Sequence, residues 1–202
     1  MATIQAISVT GIAIRNLLHE ACPRDVFGGA EFKLVQAANL ATLSFTGLGV
    51  SIYLYRVAFN GTRRCQSPRK RLNGLQFKPP VPLDLHFLIT AWARTPEQQW
   101  ALLAWAVRTL EDTPSLSSGF LNQNAGSDGS GPHNVFGAEE DIDLVGESLS
   151  LQDMVSVWEV AKQNQQPSVA YVARAVLIDS LIELHDGRPV QTRAFDMAVL
   201  TQ

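Results

Sequence analysis

The chain has 202 residues, of which 46% are hydrophobic and only 17% are charged, and its formal net charge is -3. A chain of this length forms one compact domain whose apolar core needs neither a structural metal nor disulfides. The acidic balance excludes a dedicated nucleic-acid binder, which needs a basic face to release counterions from phosphates. The small charged fraction favours a protein whose surface is partly covered in an assembly.

Cysteine usage and the N-terminal segment bear on the compartment. Cys22 and Cys65 are too few for a disulfide framework and lack metal-ligand spacing, which favours a reducing cytoplasm. Residues 1–18 are apolar, but they have no basic leader region and are interrupted by Gly11 and Arg15. We therefore expect neither export by a signal peptide nor insertion into a membrane.

The first sixty residues predict a helix followed by strands. Apolar residues at helical spacing predict an amphipathic helix over residues 3–19, ending before Cys22-Pro23. Aromatic and β-branched residues predict strands over Ala41–Phe45 and Val50–Phe59, separated by the turn residues Gly47-Leu48-Gly49. Large side chains alternate on both faces of the second strand, which predicts that both faces are covered.

A long basic loop is predicted over residues 61–80. This segment holds six cations, three prolines and no acid. Loops of such length inside a compact domain are functional or mobile, so the segment is a candidate contact arm that becomes ordered on assembly. A solvated loop without a function is the alternative. The six cations are Arg63, Arg64, Arg69, Lys70, Arg71 and Lys78.

The next segment predicts a buried strand and a well-defined helix. The continuous apolar run over Val81–Trp92 predicts a central strand. Thr95-Pro96-Glu97 then supplies an N-cap residue, a proline at the first helical position and an acid in the first turn, and the helix stops by Pro114. Its apolar residues at helical spacing are Trp100, Leu103, Val107 and Leu110.

The last third alternates between polar connections and regular elements. A composition rich in serine and glycine predicts a flexible connection over residues 115–136. A short strand is predicted over residues 142–149, and Ser150 caps a helix that ends before Gln163. An alternating pattern on two faces predicts an interior strand over Ser168–Ile178. The whole pattern is typical of a single mixed α/β domain over residues 1–202, with a mixed central sheet flanked by helices and long loops.

The usual catalytic constellations are absent from the sequence, including phosphate-binding loops, nucleophile elbows and metal-binding helices. Asp84 and His86 form one candidate pair, because residues two apart on a strand project to the same face and can serve a metal or a proton shuttle. The simpler interpretation is that they satisfy each other or backbone groups, since unpaired burial costs about 1–3 kcal/mol. We expect no cofactor and no enzymatic activity.

One asymmetry of charge is a candidate for function. The basic loop has a counterpart in the acidic cluster Glu139, Glu140, Asp141, Asp143 and Glu147, of which the first four are the candidate assembly contacts. Opposite patches on one chain suit head-to-tail association, and a heterologous contact repeated by rotation closes into a ring. The alternative is two independent solvated faces.

The ordered set of motifs resembles a known family. The strand Tyr53-Leu54-Tyr55 precedes Pro79-Pro80-Val81-Pro82-Leu83-Asp84-Leu85, and the pattern continues through Leu110–Pro114, Glu147–Asp153 with Trp158, and Ser168–Asp179. Together these motifs are similar to the N-terminal domain family of the cap proteins of extracellular contractile injection systems, of the virulence-cassette and antifeeding-prophage type.

This resemblance implies a mixed α/β domain without catalytic residues. It implies a ring, of six copies by the family pattern, at the baseplate-distal end of the tail, where it contacts inner tube and sheath and ends their growth. It also implies assembly in the bacterial cytoplasm, with release of the particle left open. Two alternatives are another adaptor or plug in the same particle, and an enzyme with a site around Asp84 and His86.

Because the four histidines are dispersed and no ligand spacing is present, we expect the purified protein to contain no stoichiometric zinc or iron. Elemental analysis of the protein checks this. Stoichiometric metal that is lost in the variant His86→Ala would overturn the prediction.

Overall fold

A computed structural model of the chain describes residues 3–40, 42–64, 66–70, 74–126, 134–161 and 165–184. The helices are α1 (Ala6–Ala21), α2 (Arg24–Phe27), α3 (Ala37–Leu40), α4 (Pro96–Asp112), α5 (Ser118–Asn124) and α6 (Leu151–Ala161). The strands are β1 (Glu31–Val35), β2 (Gly49–Phe59), β3 (Arg69–Lys70), β4 (Gln76–Phe77), β5 (Val81–Trp92), β6 (Ser115–Leu116), β7 (Ile142–Glu147), β8 (Ser168–Ile178) and β9 (Glu183–Leu184).

A six-stranded mixed sheet forms the centre of the fold, in the order β1-β2-β5-β8-β7-β6. β1 runs parallel to β2, and the other neighbours are antiparallel. The three longest strands, β2, β5 and β8, lie side by side, which confirms the strands predicted over Val50–Phe59, Val81–Trp92 and Ser168–Ile178 and the central place predicted for the last two. The predicted mixed α/β class is confirmed as well.

The two faces of the sheet are covered by different helices. On one face, Ile52, Leu85, Phe87 and Ile89 belong to a buried cluster that also includes residues of α1, α4 and α5. On the other face, Leu88 belongs to a smaller cluster with residues of α3 and α6. Alternate side chains of β5 thus enter two separate cores, which explains its nearly continuous apolar sequence.

β2 has a neighbouring strand along both of its edges over only part of its length. β1 pairs with Gly49–Tyr53, and in the described chain residues 54–59 pair with β5 alone. Val57 and Phe59 retain 46% and 69% of their exposure. The prediction that both faces of this strand are covered is therefore wrong for its second half, where Arg56, Val57 and Phe59 are exposed.

Two segments of the first half differ from the sequence-based prediction. The strand predicted over Ala41–Phe45 is absent from the described residues 42–45, where backbone bonds from Thr42 to Asn39 and from Leu43 to Leu40 form a turn after α3. The edge strand β1 was not predicted, because it is short and its apolar residues alternate with two charged ones. Helix α1 begins and ends two or three residues later than predicted.

The connection predicted to be flexible over residues 115–136 contains regular structure in its described part. Ser117 accepts a hydrogen bond from the Phe120 N–H and caps α5, and Leu121 is fully buried. The Asn122 side chain accepts hydrogen bonds from the N–H groups of Val135 and Phe136, which are buried. Local polar caps thus compensate for a composition poor in large apolar residues. Residues 127–133 lie outside the described chain.

The remaining predicted elements are confirmed. Helix α4 begins at Pro96 with Thr95 as its N-cap. Ser150 accepts a hydrogen bond from the Asp153 N–H at the start of α6. Strand β8 has the predicted bounds, and β7 covers the first six residues of the predicted range.

We expect Leu85→Ala to lower the free energy of unfolding by about 2–5 kcal/mol, because Leu85 is fully buried and truncation leaves a cavity. Denaturant titration measures the change. Val57→Ala is the matched control, since Val57 lies opposite Leu85 in register but is 46% exposed. A loss for Leu85→Ala no larger than that of the control would contradict the prediction.

Candidate assembly surfaces

The basic segment after β2 is tied to the sheet by a polar junction at Asp84. The Asp84 carboxylate accepts hydrogen bonds from the Asn60 amide, at 2.9 and 3.2 Å, and from the Ala175 N–H, at 2.9 Å. The register between β5 and β8 shifts at this point, and Ala175 has a φ of 56°. Asp84 therefore stabilises a bulge whose left-handed backbone is unfavourable for alanine. The Asn60 oxygen in turn accepts the Arg63 N–H at 2.8 Å, which fixes the start of the basic segment.

The second residue of the candidate catalytic pair belongs to a different cluster. His86 Nδ1 lies 2.8 Å from Glu147 Oε2, and the Tyr55 hydroxyl donates to the same oxygen at 2.9 Å. Burial raises the pKa of Tyr55 above its usual range, and its bond to Glu147 adds to this. Burial also raises the pKa of Glu147, but the hydrogen bonds from His86 and Tyr55 outweigh it and leave the pKa lowered.

Asp84 and His86 therefore do not contact each other. Each side chain has structural partners outside β5. The simpler interpretation, that these polar residues are satisfied within the fold, therefore holds, but they are not satisfied by each other. Sequence analysis missed Asn60, which lies 24 residues from Asp84, and named Glu147 only as a member of the acidic cluster, not as the partner of His86 61 residues away. In the part of the chain that the structure describes, no three His, Cys, Asp or Glu residues are grouped to hold a metal ion. Within the same ranges, no helix combines the length and apolar character that crossing a bilayer requires.

The basic segment contributes two strands of two residues each, β3 and β4, to a small second sheet, and its other described residues are irregular. Strands β3, β4 and β9 pair in that order, and Phe77 on β4 is buried. Of the six candidate cations, Arg63, Arg64, Lys70 and Lys78 are exposed, and Arg69 is partly buried. Arg71 lies outside the described residues.

Arg69 brings the basic and acidic segments together within one chain. Its guanidinium contacts the Glu140 carboxylate, and it lies 3.2 Å from Asp179. Burial raises the pKa of Glu140, but hydrogen bonds from the Gly137 N–H and Arg69 outweigh it, so the pKa lies below its usual range. The two segments are therefore neighbours rather than opposite ends of the molecule.

The other acidic candidates differ in their roles. Asp141 accepts the Ser118 N–H at 2.8 Å at the start of α5, which is a structural role. Glu139 and Asp143 are exposed. Of the four acids predicted as assembly contacts, three are exposed, but one of these, Asp141, is bonded within the fold, as is the partly buried Glu140.

A scan against protein-family models matches residues 11–192 to the family described as the Pvc16 N-terminal domain. The chain belongs to this family. The match includes all the motifs quoted for the resemblance, so the expected family is confirmed. No curated protein sequence matches the chain significantly.

Solved structures of cap proteins share the fold of this Pvc16 N-terminal domain. A sheath/tube terminator of the extracellular contractile injection system PVC, in its extended state, is 17% identical, with a TM-score of 0.61. The match covers 100% of this chain and 66% of the other. The tube-terminating cap of the anti-feeding prophage is 14% identical, with a TM-score of 0.54, and the match covers 98% of this chain and 62% of the cap. The chain thus spans somewhat less than two thirds of these proteins' length.

We expect Glu140→Gln to lower the free energy of unfolding by about 1–3 kcal/mol at neutral pH, because it removes the partly buried carboxylate that pairs with Arg69. The folded pKa of Glu140 is depressed, so this contribution is complete above the unfolded value of about 4.3 and disappears as the pH falls through the folded pKa. The gap between wild type and variant should therefore close on acidification. Denaturant titrations at several pH values measure it.

Glu139→Gln is the control for this prediction, because Glu139 is the exposed neighbour. It should leave stability unchanged at every pH. A gap for Glu140→Gln that stays constant from neutral to acid pH would refute the role given to the ionised carboxylate.

Proposed function

We propose that this chain is the terminator, or cap, of a contractile injection system. It forms a ring at the baseplate-distal end of the tail, where it ends the growth of inner tube and sheath. The observation that carries the proposal is the fold, which matches a sheath/tube terminator and a tube-terminating cap over 98–100% of this chain. Family membership over residues 11–192 supports the same conclusion.

The distribution of polar groups supports a structural role. Asp84 and Glu147 are occupied by hydrogen bonds that join strands, and both solved neighbours are structural caps. The candidate pair Asp84 and His86 is therefore better explained as part of the scaffold than as a catalytic site. Termination requires only surfaces that fit the last layer of a tube and offer no site for the next one.

We propose that the ring contains six copies, as the family resemblance implies, and that it contacts both tube and sheath subunits. The assembly contacts are those exposed members of the candidate set whose side chains make no hydrogen bond or ion pair in the described chain: Arg63, Arg64, Lys70, Lys78, Glu139 and Asp143, with Arg71 as a further candidate. Arg69, Glu140 and Asp141 hold these contacts in place from within the fold. Assembly takes place in the bacterial cytoplasm, and the finished particle carries the cap on its distal end.

We expect particles assembled without this chain to have tails of broadly distributed length, because nothing then blocks addition of the next layer. Electron microscopy of particles from cells with and without the chain measures the length distribution, and complementation with the wild type should restore a narrow one. Mass determination of the purified chain, alone and mixed with tube and sheath subunits, separates a ring from a monomeric adaptor. Tails of normal, narrowly distributed length without the chain would overturn the proposal.

A further inference from the structure

We propose that copies of this chain bind one another head to tail, with a basic and apolar tip on one copy seated in an apolar groove along α4 of the next. The tip comprises Phe59, Arg63, Arg64, Lys78, Leu181 and Ile182. The groove is lined by Trp100, Leu103, Ala104, Val107 and Val169. The inference rests on the proposed ring and names the surfaces that build it.

The tip exposes large apolar side chains that the fold does not need. Phe59, Leu181 and Ile182 are 69%, 79% and 57% exposed. They lie at the same end of the molecule, because Phe59 pairs in register with Leu83 near the start of β5, and the Ile182 carbonyl accepts the Lys78 N–H at 3.0 Å. Exposed apolar residues grouped in this way are typical of an interaction site.

The cations of the tip are available to a partner. In the described chain, Arg63, Arg64 and Lys78 are exposed and make no salt bridge, whereas Arg69 is neutralised by Glu140 and Asp179. The guanidinium of Arg64 lies 5.9 Å from the centre of the Phe59 ring, so an aromatic and a cation are already presented together.

The groove along α4 has the complementary character. Its volume is about 470 Å³, and Trp100 in its lining is 60% exposed. The helix buries Leu102, Ala106 and Leu110, whereas Trp100 and Ala104 are exposed and Leu103 and Val107 are half-buried. A helix with apolar residues beyond those that face the core has a surface that a partner can bind.

Acidic groups stand at both ends of the groove. Glu97 occupies the first turn of α4, and Glu111 and Asp112 close its last turn. The one cation in the lining, Arg108, already contacts Asp112. A surplus of carboxylates therefore frames an apolar surface, which suits a partner that combines apolar side chains with arginines.

The two surfaces lie towards opposite ends of the sheet. The tip adjoins Val81 at the start of β5, whereas Val169 in the groove pairs with Ile89 near the end of that strand. The twelve residues of β5 span about 40 Å at about 3.3 Å each. Two different surfaces at opposite ends make a heterologous contact, which is the kind that a closed ring requires.

Complementary single-surface variants test this arrangement. Phe59→Ser combined with Arg63→Ser and Arg64→Ser disables the tip, and Trp100→Ser disables the groove. We expect each to weaken self-association by at least about 30-fold, as loss of an interfacial hot spot does. When the two variants are mixed, one intact tip meets one intact groove. Native mass spectrometry should then detect a heterodimer of about twice 22.1 kDa and nothing larger.

The control is Leu151→Ser combined with Arg174→Ser. It removes one exposed apolar side chain and one exposed cation that belong to neither the tip nor the groove. It should assemble like the wild type. Circular dichroism and thermal melts verify that all variants fold. A wild type that stays monomeric, variants that still form rings, or a mixture that forms no heterodimer would overturn the inference.

The same variants separate this inference from the proposed function. If the variants keep the rings and the wild type caps tails, the contact is wrong and the terminator stands. If the variants abolish rings but tail length never depends on the chain, the contact stands and the terminator is wrong.

Discussion

The Asp84 carboxylate is the interaction on which the tip end of the sheet depends. It joins the three central strands, since its partners are Asn60 after β2 and the Ala175 N–H on β8. Without this acceptor, the left-handed residue at Ala175 and the adjoining shift in strand register would lack compensation. The Asn60 oxygen extends the junction to Arg63, so the basic segment leaves the sheet in a defined direction.

At the opposite end of the sheet, aromatic packing contributes to stability. There Trp92 and Trp158 pack edge to face, 6.3 Å apart, and α3 and α6 cover the sheet with apolar residues. One end thus depends on the Asp84 junction and carries the cations of the tip, whereas at the other end aromatic packing accompanies hydrogen bonds such as that from Trp92 to Ser51, and the chain leads into α4. A molecule with such unlike ends is suited to contacts between different surfaces rather than to symmetric pairing.

The sequence was sufficient to predict those parts of the fold that rest on local chemistry. The long strands follow from two-sided apolar patterns, and α4 and α6 follow from the caps at Thr95 and Ser150. Helix α5 was missed because its stability comes from the Asn122 bonds to Val135 and Phe136, which no local periodicity reveals.

The charged candidate residues could be identified in the sequence, but the residues with which they pair could not. Arg69 and Glu140 are 71 residues apart, and only the fold brings them together. The same limit applies to His86 and Glu147. The helical spacing of Trp100 with other apolar residues of α4 was visible in the sequence. Periodicity does not show whether such a face packs inside the chain or on another molecule, and Trp100 is 60% exposed.

The half of β2 that does not pair with β1 affects how free copies of the chain associate with one another. Among the described strands, residues 54–59 pair with β5 alone, and such open strands are templates for edge-to-edge aggregation. Arg56 is exposed in the middle of this stretch, and a charge at that position opposes pairing with another apolar strand. The exposed charge of Arg56 therefore opposes edge-to-edge association of free copies of this chain.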